Sequence, residues 1–151
     1  MPYRITKTYG HDLGLSACFR QHRAQSHCRF LHGYPLSFKF MFGADHLDQN
    51  NWVLDFGGLK PLKAWLCDTF DHRLLVAEDD PLREDLMELA NIGLADPKVV
   101  SAVGCEGFAK LAFDHADDLL GRLHAKPRVR LLEVEVREHG ANSAIYTTGA
   151  R

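Results

Sequence analysis

The sequence lacks a long apolar run and a strong excess of charge of either sign. No stretch reaches the roughly 18 consecutive apolar residues that a membrane-spanning helix needs, and the N-terminal residues lead into no apolar signal core. The 18 basic and 20 acidic residues give a net charge of −2 and are scattered along the chain. These absences predict a cytoplasmic protein with no nucleic-acid or membrane partner, whose partner is a small molecule.

The four cysteines show no CxxC spacing, and a disulfide framework is not expected in a reducing compartment. A chain of 151 residues buries enough surface to fold without a disulfide or a metal, so a metal here would serve function. Each cysteine is expected to be either a small buried residue or a reactive thiol; they are Cys18, Cys28, Cys67 and Cys105. No repeat, low-complexity tract or linker divides the chain, which predicts one domain over residues 1–151.

The spacing of apolar residues predicts the secondary structure. In the clearest strand, at about 31–42, Leu36, Phe38 and Phe40 lie on one face at a period of two. Further strands are predicted at about 3–9, 13–19, 128–138 and 144–147, with a bend near Gly10-His11, and helices at about 58–70, 81–91 and 105–121. Strands on either side of a group of helices favour an α+β domain, an antiparallel four-stranded sheet with helices on one face.

His32 and Tyr34 lie at the start of the clearest strand, on the face of its apolar row. A neutral imidazole there can bind zinc, and a catalytic zinc site usually has three protein ligands and one open position. His22 and His27 precede His32 in the same short segment, so this segment is where chemistry is expected. A hydrogen-bonded core histidine would also explain His32, and the residue pattern leaves the choice open.

Cys28, Asp71 and His72 are candidates for proton transfer. Cys28 lies close to Arg23 and Arg29, and positive neighbours favour the reactive thiolate over the thiol. An inert thiol in a loop is the alternative. Asp71 directly precedes His72, and a neighbouring carboxylate can orient the imidazole for proton transfer, although adjacent Asp-His pairs are common by chance.

Glu138 continues the apolar row of Leu132, Val134 and Val136, so its carboxylate is expected to point inward. Burying an unpaired carboxylate is unfavourable, and a fixed partner is therefore expected. That partner is either an arginine of the protein or a ligand with a guanidine-like edge, because two parallel N–H groups match a carboxylate. Glu106 lies near a helix start, where the helix dipole favours an acidic residue.

Five short motifs occur along the chain in an order that points to a known family. They are Cys28-Arg29-Phe30-Leu31-His32-Gly33, Trp52-Val53-Leu54-Asp55-Phe56 with Leu59-Lys60, Phe70-Asp71-His72, Cys105-Glu106, and Val136-Arg137-Glu138. Over nearly the whole length the chain resembles the family of 6-carboxytetrahydropterin synthase and 6-pyruvoyltetrahydropterin synthase. In the same order, the motifs are similar to its catalytic cysteine followed by His-Gly-His, the extended stretch before its first helix, its Asp-His pair, its Thr/Ser-x-Glu helix start and its pterin-binding glutamate.

The resemblance implies the tunnelling fold, a ββααββ unit whose subunits assemble into a barrel, a homohexamer with active sites shared between subunits. It also implies a lyase that converts 7,8-dihydroneopterin triphosphate, or a close pterin, with loss of triphosphate. The pathway implied is 7-deazaguanine (queuosine) or pterin biosynthesis.

The resemblance also implies roles for individual residues. Cys28 would be the proton-abstracting base, and Asp71 and His72 would relay protons. Glu138 would grip the aminopyrimidine edge of the pterin, and the substrate-binding residues would be Glu138, Cys105 and Glu106. The contacts of the triphosphate stay open among the basic residues Arg20, Arg23, Arg29, Lys39 and Arg73.

The zinc ligands depart from the resemblance. The family binds zinc through three histidines, and only His32 stands at an expected position, with Tyr34 at the second and Phe19, which cannot bind zinc, at the first. Either His27 and His22 rebuild a zinc site with His32, which is the hypothesis we favour, or the zinc has been lost. In the second case the chain would be a ligand-binding protein for a pterin or a purine-like molecule, without catalysis.

Overall fold

The computed structural model of the chain describes residues 1–149, which form one mixed sheet with helices packed against it. The strands are β1 (Tyr3–Tyr9), β2 (Leu15–Phe19), β3 (His32–Ala44), β4 (Arg73–Ala77), β5 (Pro97–Val100), β6 (Val129–His139) and β7 (Asn142–Thr147). The helices are α1 (Lys60–Phe70), α2 (Arg83–Glu88) and α3 (Cys105–Arg122). In this part of the chain no helix has the length and apolar character required to cross a bilayer.

Strand β3 is the centre of the sheet. Its first half pairs with β2 and its second half with β1, while β6 pairs along its other edge, all antiparallel. β1 and β2 therefore follow one edge of β3 like a single bent strand. The bend is a short turn at His11–Leu13 that ends at Gly14, whose φ of 73° favours glycine. The bend predicted near Gly10-His11 is confirmed.

Helices α1 and α3 cover one face of this sheet and close the main core. Leu62 and Leu66 of α1 and Phe108 of α3 are fully buried against the phenylalanine row of β3. Each side chain of this size contributes about 1.5–3 kcal/mol when it leaves water, so this face stabilises the whole sheet. Asp55 accepts a hydrogen bond of 2.8 Å from the Gly57 N–H and so caps the turn that leads into α1. The predicted α+β class is confirmed.

Strands β4 and β5 extend the sheet beyond the predicted four antiparallel strands. β4 pairs parallel to β2 and β5 parallel to β4, so the sheet has seven strands over residues 1–149. Leu75 and Ala77 of β4 join the main core, whereas Leu74 and Val76 face a second cluster under α2. The short helix α2 therefore lies on the face opposite α1 and α3. Strand β4 is apolar on both sides, and such a run lacks the alternation from which a strand is recognised.

A bulge in β6 changes which of its residues face the core. The register with β3 shifts so that Leu131, and not Leu132, pairs with Phe42. Leu131 is buried and Leu132 only half-buried, so the predicted inward row is wrong at Leu132. An extra residue at a bulge reverses the alternation of side chains on either side of it. Val134 and Val136 are fully buried, as predicted, and a second register shift, opposite β7, lies between Arg137 and His139, at Glu138.

Candidate functional site

The rings of Phe19, His32 and Tyr34 lie together at the end of β2 and the start of β3. Phe19 pairs with His32 across the two strands and Ala17 with Tyr34, which places their side chains on the face covered by α1 and α3. The ring centroids lie 5.1 Å apart for Phe19 and His32, 5.6 Å for His32 and Tyr34, and 6.2 Å for Phe19 and Tyr34. The inward direction predicted for His32 and Tyr34 is confirmed.

His32 and Tyr34 offer different polar groups at this place. Nδ1 of His32 lies 2.7 Å from the Phe30 carbonyl oxygen, the geometry in which Nδ1–H donates and Nε2 is left as an acceptor. Burial raises the pKa of the Tyr34 hydroxyl, and the nearby Glu138 carboxylate and two cysteines raise it further. Tyr34 therefore keeps its proton and is a hydrogen-bond donor.

The structure does not assemble the predicted zinc site of His22, His27 and His32. Within residues 1–149, no group of three or more His, Cys, Asp or Glu side chains is placed to hold a metal ion. His22 faces Asp79, with Nε2 3.8 Å from Oδ1, and His27 is exposed on a short turn before β3. The neighbours of His32 are a phenyl ring without a donor atom and a phenol that keeps its proton. These residues do not fit the three-histidine centre that the resemblance implies.

Cys28 is half-buried on the short turn His27–Arg29, which is fastened to the end of β2 and the start of α3. The Gln21 backbone N–H donates to the Cys28 carbonyl at 2.9 Å, and the Gln21 side chain donates to the Val103 carbonyl at 3.0 Å. Gln21 packs closely on Gly104, and a Cβ at that position would force the end of the Gln21 side chain to shift. Gly104 also has a φ of 96°, which other residues rarely adopt.

Arg20 holds the same turn from another side, a role that the sequence analysis did not identify. Its Nε and Nη2 lie 2.8 and 2.7 Å from the two carboxylate oxygens of Asp80, and its Nη1 donates to the Arg29 carbonyl at 3.4 Å. The hydrogen bonds from Arg20 lower the pKa of the Asp80 carboxyl. The two partners are 60 positions apart, so no local pattern could have revealed the pair.

Glu138 lines a small pocket with the first residues of α3. The pocket has a volume of about 370 Å³ and is lined by Cys105, Glu106, Glu138, Ala141, Asn142 and Ser143. Within residues 1–149 the Glu138 carboxylate takes part in no ion pair, so the alternative of an arginine partner inside the protein is not realised. Burial, together with the charges of Glu138 and Glu106, raises the pKa of the Cys105 thiol to about 12. Cys105 is therefore a neutral lining residue and not a nucleophile.

Asp71 and His72 form a hydrogen-bonded pair at the end of α1. His72 Nδ1 lies 2.8 Å from Asp71 Oδ1, and the same oxygen accepts from the Ser16 N–H at 3.3 Å. His72 has a φ of 56°, an uncommon value for a residue with a side chain, and its N–H donates to the Ser16 carbonyl at 2.7 Å. The imidazole is 85% exposed, which leaves Nε2 accessible to a bound molecule.

The two groups of candidate residues lie on opposite faces of the sheet. His72 lines a cleft of about 440 Å³ with Cys18 and Gly33, which alternate with the inward residues of β2 and β3. Cys28, Tyr34 and the Glu138 pocket are grouped on the helix-covered face. A single chain therefore brings Cys28 near Glu138 but keeps Asp71 and His72 away from both.

A further cleft lies at neither place. It has a volume of about 590 Å³ and runs beside β1, under the extended stretch before α1. Trp52 and Phe56 of that stretch line it and are each about half exposed. No candidate acid, base or histidine of the sequence analysis lines this cleft.

Comparison with known proteins identifies relatives across the chain. A family model described as 6-pyruvoyl tetrahydropterin synthase matches residues 11–149. The 6-carboxy-5,6,7,8-tetrahydropterin synthase of Aquifex aeolicus is 24% identical over 160 residues, covering 97% of this chain and 98% of that protein. The protein of the same name from Rickettsia conorii is 39% identical over 57 residues, and this match covers 37% of the chain and only 41% of the relative.

Two solved structures show the same fold. An uncharacterised protein of Wolinella succinogenes superposes with a TM-score of 0.78 at 20% identity, covering 97% of this chain and 98% of that one. The 6-pyruvoyl tetrahydropterin synthase of Plasmodium falciparum superposes with a TM-score of 0.66 at 14% identity, covering 95% and 96%. At these identities the likeness concerns the fold alone, and it confirms the predicted tunnelling fold.

Proposed function

The chain belongs to the 6-pyruvoyl tetrahydropterin synthase family, and from this premise we propose that it is a pterin-processing lyase. The proposed reaction converts 7,8-dihydroneopterin triphosphate, or a close pterin, with loss of triphosphate, in 7-deazaguanine (queuosine) or pterin biosynthesis. Relatives named 6-carboxy-5,6,7,8-tetrahydropterin synthase support this choice within the family. The proposal treats residues 1–151 as one domain that acts in the cytoplasm.

The carboxylate of Glu138 is the observation that carries the proposal. It lines a pocket and, within residues 1–149, has no cationic partner. An aminopyrimidine edge presents two parallel N–H groups, and a carboxylate with both oxygens available accepts them as a matched pair. In this proposal Cys105 and Glu106 lie beside the bound ring as further substrate-binding residues.

Cys28 is proposed as the base, with Asp71 and His72 as the proton relay. The thiolate of Cys28 removes a proton from the pterin side chain, and the C–O bond to triphosphate breaks with the electron pair leaving on triphosphate. Asp71 holds Nδ1 of His72 at 2.8 Å, so that Nε2 is the atom that gives or takes a proton. Because Asp71 and His72 lie on the other face of their own sheet, the complete site needs residues from two chains.

The free edges of the sheet support such an assembly. Among residues 1–149, β1 pairs only with β3 and β7 pairs only with β6, so both strands carry unpaired backbone groups on their outer edges. Exposed edges of this kind are normally covered. Pairing of β7 of one copy with β1 of the next would close the barrel, and the homohexamer is the assembly implied by the resemblance.

We assign the binding of the substrate's triphosphate to Arg29. It is exposed next to Cys28, and its guanidinium carbon lies 4.6 Å from the centre of the Phe30 ring. Its Nη1 donates to the Gln25 carbonyl at 3.0 Å, and it pairs with no carboxylate within residues 1–149, so its other N–H groups can meet a phosphate. Three other candidates are engaged with aspartates; they are Arg20, Arg23 and Arg73. Lys39 belongs to the sheet face that α1 and α3 do not cover, because it alternates with Phe38 and Phe40.

Zinc has no step in this proposal. A zinc ion would have to be held by His32 with His27 and His22, and these side chains do not converge in the described part of the chain. The replacement of two histidine positions by Phe19 and Tyr34 favours a second candidate function, a non-catalytic protein that binds a pterin or purine-like ligand. Both functions use Glu138 for binding, and they differ in whether Cys28 is needed.

Incubation with 7,8-dihydroneopterin triphosphate tests the choice between them. The lyase releases triphosphate and forms a new pterin, both visible by chromatography. Cys28→Ala abolishes this, while Cys67→Ala, in helix α1 and outside the Glu138 pocket, does not. Absence of triphosphate release at any metal loading would overturn the lyase. Binding that depends on Glu138 without turnover, and without an effect of Cys28→Ala, would then establish the ligand-binding protein.

A further inference from the structure

The position at which the resemblance implies a metal ion is occupied by three rings of different chemistry. Phe19 packs against His32 with 5.1 Å between ring centroids, and Tyr34 meets His32 edge-on at 5.6 Å and 89°. Phe19 is fully buried and also contacts Phe108 edge-on at 5.1 Å, so it is fixed by the core. The rings of His32 and Tyr34 are half-buried, and the Tyr34 hydroxyl is close enough to the Glu138 carboxylate for that charge to act on it.

Two polar atoms remain available in this group. The Phe30 carbonyl engages Nδ1 of His32 at 2.7 Å, so Nε2 is a hydrogen-bond acceptor. Within residues 1–149 the Tyr34 hydroxyl forms no hydrogen bond and can donate its proton to a ligand. An acceptor and a donor on adjacent rings, whose centroids lie 5.6 Å apart, match an alcohol, since the O–H of the alcohol donates to Nε2 while its oxygen accepts from the phenol.

Resting on the proposed function, we propose that His32 and Tyr34 together bind a hydroxyl group on the side chain of the pterin, directly and without a metal ion. Phe19 positions the His32 ring for this contact. The pair makes the site selective for pterins with a hydroxylated side chain over pterins with an alkyl side chain. Glu138 binds the ring of both kinds of pterin, so the two contributions can be measured separately.

Titration calorimetry with two probes measures the hydroxyl contact. The probes are 7,8-dihydroneopterin, which has a hydroxylated side chain, and 6-methyl-7,8-dihydropterin, which has none. We expect Tyr34→Phe to weaken the binding of the first about tenfold and to leave the second unchanged. Tyr146→Phe is the matched control, because Tyr146, in β7, is also half-buried but packs on Phe113 of α3 and not on His32.

The zinc content of the purified protein tests, independently of pterin binding, whether the side chains at positions 19, 32 and 34 hold a metal ion. We expect untagged wild-type protein to carry no zinc after dialysis against excess zinc and desalting. The double variant Phe19→His/Tyr34→His places three imidazoles on one face around the position of His32, and it is expected to bind about one zinc per chain. The single variant Tyr34→His, with two imidazoles, is expected to bind much less.

The outcomes separate this inference from the proposed function. Suppose that the wild-type protein binds both the hydroxylated and the methylated pterin. If Tyr34→Phe then weakens the binding of both equally, or of neither, the proposed hydroxyl contact is wrong and the proposed function stands. Stoichiometric zinc in the wild type, lost in His32→Ala, would also overturn it. If the wild type binds neither pterin, the proposed function fails and this inference with it. Thermal unfolding of each variant shows that a loss of binding is not a loss of fold.

Discussion

Arg20 and Asp80 form a two-pronged ion pair that joins the end of β2 to the loop before α2. The Asp80 side chain is only 1% exposed and that of Arg20 17%, and the same guanidinium donates to the carbonyl of Arg29 in the turn that carries Cys28. The pair is therefore both a buried electrostatic contact and a support for the proposed base.

Removal of one partner of this pair is expected to destabilise the protein. Asp80→Asn leaves a largely buried guanidinium without its counter-charge, and we expect the free energy of unfolding to fall by about 2–4 kcal/mol. Asp79→Asn is the matched control, because Asp79 pairs at 2.6 Å with Arg23, whose side chain is 80% exposed. A loss below about 1 kcal/mol is expected there. Equal losses in urea titrations of the two variants would contradict this prediction.

The pH dependence of this ion pair follows from the direction in which the pKa of Asp80 is shifted. The hydrogen bonds from Arg20 place the pKa of Asp80 below its ordinary value of 3.8. The stabilisation is therefore complete above that value and is lost as the pH falls through the lowered pKa of the folded state. The difference in stability between the wild type and Asp80→Asn should be constant from pH 5 upward, in the range of about 2–4 kcal/mol, and should shrink in acid. A difference that persists unchanged at the lowest pH would show that packing, and not charge, is the cause.

Glu138→Gln tests the recognition of the pterin ring. The substitution keeps the shape of the side chain but removes the charge and one acceptor, so we expect pterin binding to weaken about 10- to 100-fold. Glu133→Gln is the control, because Glu133 belongs to the same strand but alternates with the inward Val134. Fluorescence titration with 7,8-dihydroneopterin measures both. Equal weakening by the two variants would place recognition elsewhere.

Mixed oligomers test whether the site is shared between chains. Cys28→Ala and His72→Ala are each expected to abolish turnover when expressed alone. Co-expression of the two variants should restore about a quarter of the wild-type activity, because random pairing in a symmetric ring gives that share of sites an intact Cys28 and an intact His72. An inactive mixture with normal assembly, measured by size-exclusion chromatography, would show that both residues act within one chain.

His115 is expected to make the protein less stable in mild acid. Its ring stacks on Trp65 with 4.0 Å between centroids and 7° between planes, and burial, assisted by Arg122, lowers its pKa below the ordinary value of 6.5. The unfolded chain therefore takes up a proton at His115 more readily, and stability falls as the pH drops below that value.

The variant His115→Gln isolates this contribution. It should remove part of the loss of stability below pH 6.5, and His46→Gln, at an exposed histidine of a surface loop, is the comparison variant. Thermal unfolding at a series of pH values measures both variants. A profile of His115→Gln that is parallel to the wild type would contradict the prediction.

Several features of the fold were predictable because their signals are local. The alternation in β3 and the helical spacing in α1 and α3 depend on which residues are neighbours along the chain, and these elements were predicted within a few residues. The bulge at Leu132 and the strand β4 were not predicted, because the first depends on the pairing partner and the second on burial from both sides. The motif order along the chain was sufficient to indicate the family.

The arrangement of the candidate site could be predicted only in part from the local sequence pattern. The sequence by itself determined the residue types, the inward direction of Tyr34 and the departure from the zinc ligands of the family. Only the tertiary structure decided that Phe19 meets His32, that His22 and His27 lie apart from them, and that Asp71 and His72 face away from Glu138. The physical reason is that these relations depend on strand register and on packing between distant segments, and neither is encoded in the neighbours of any one residue.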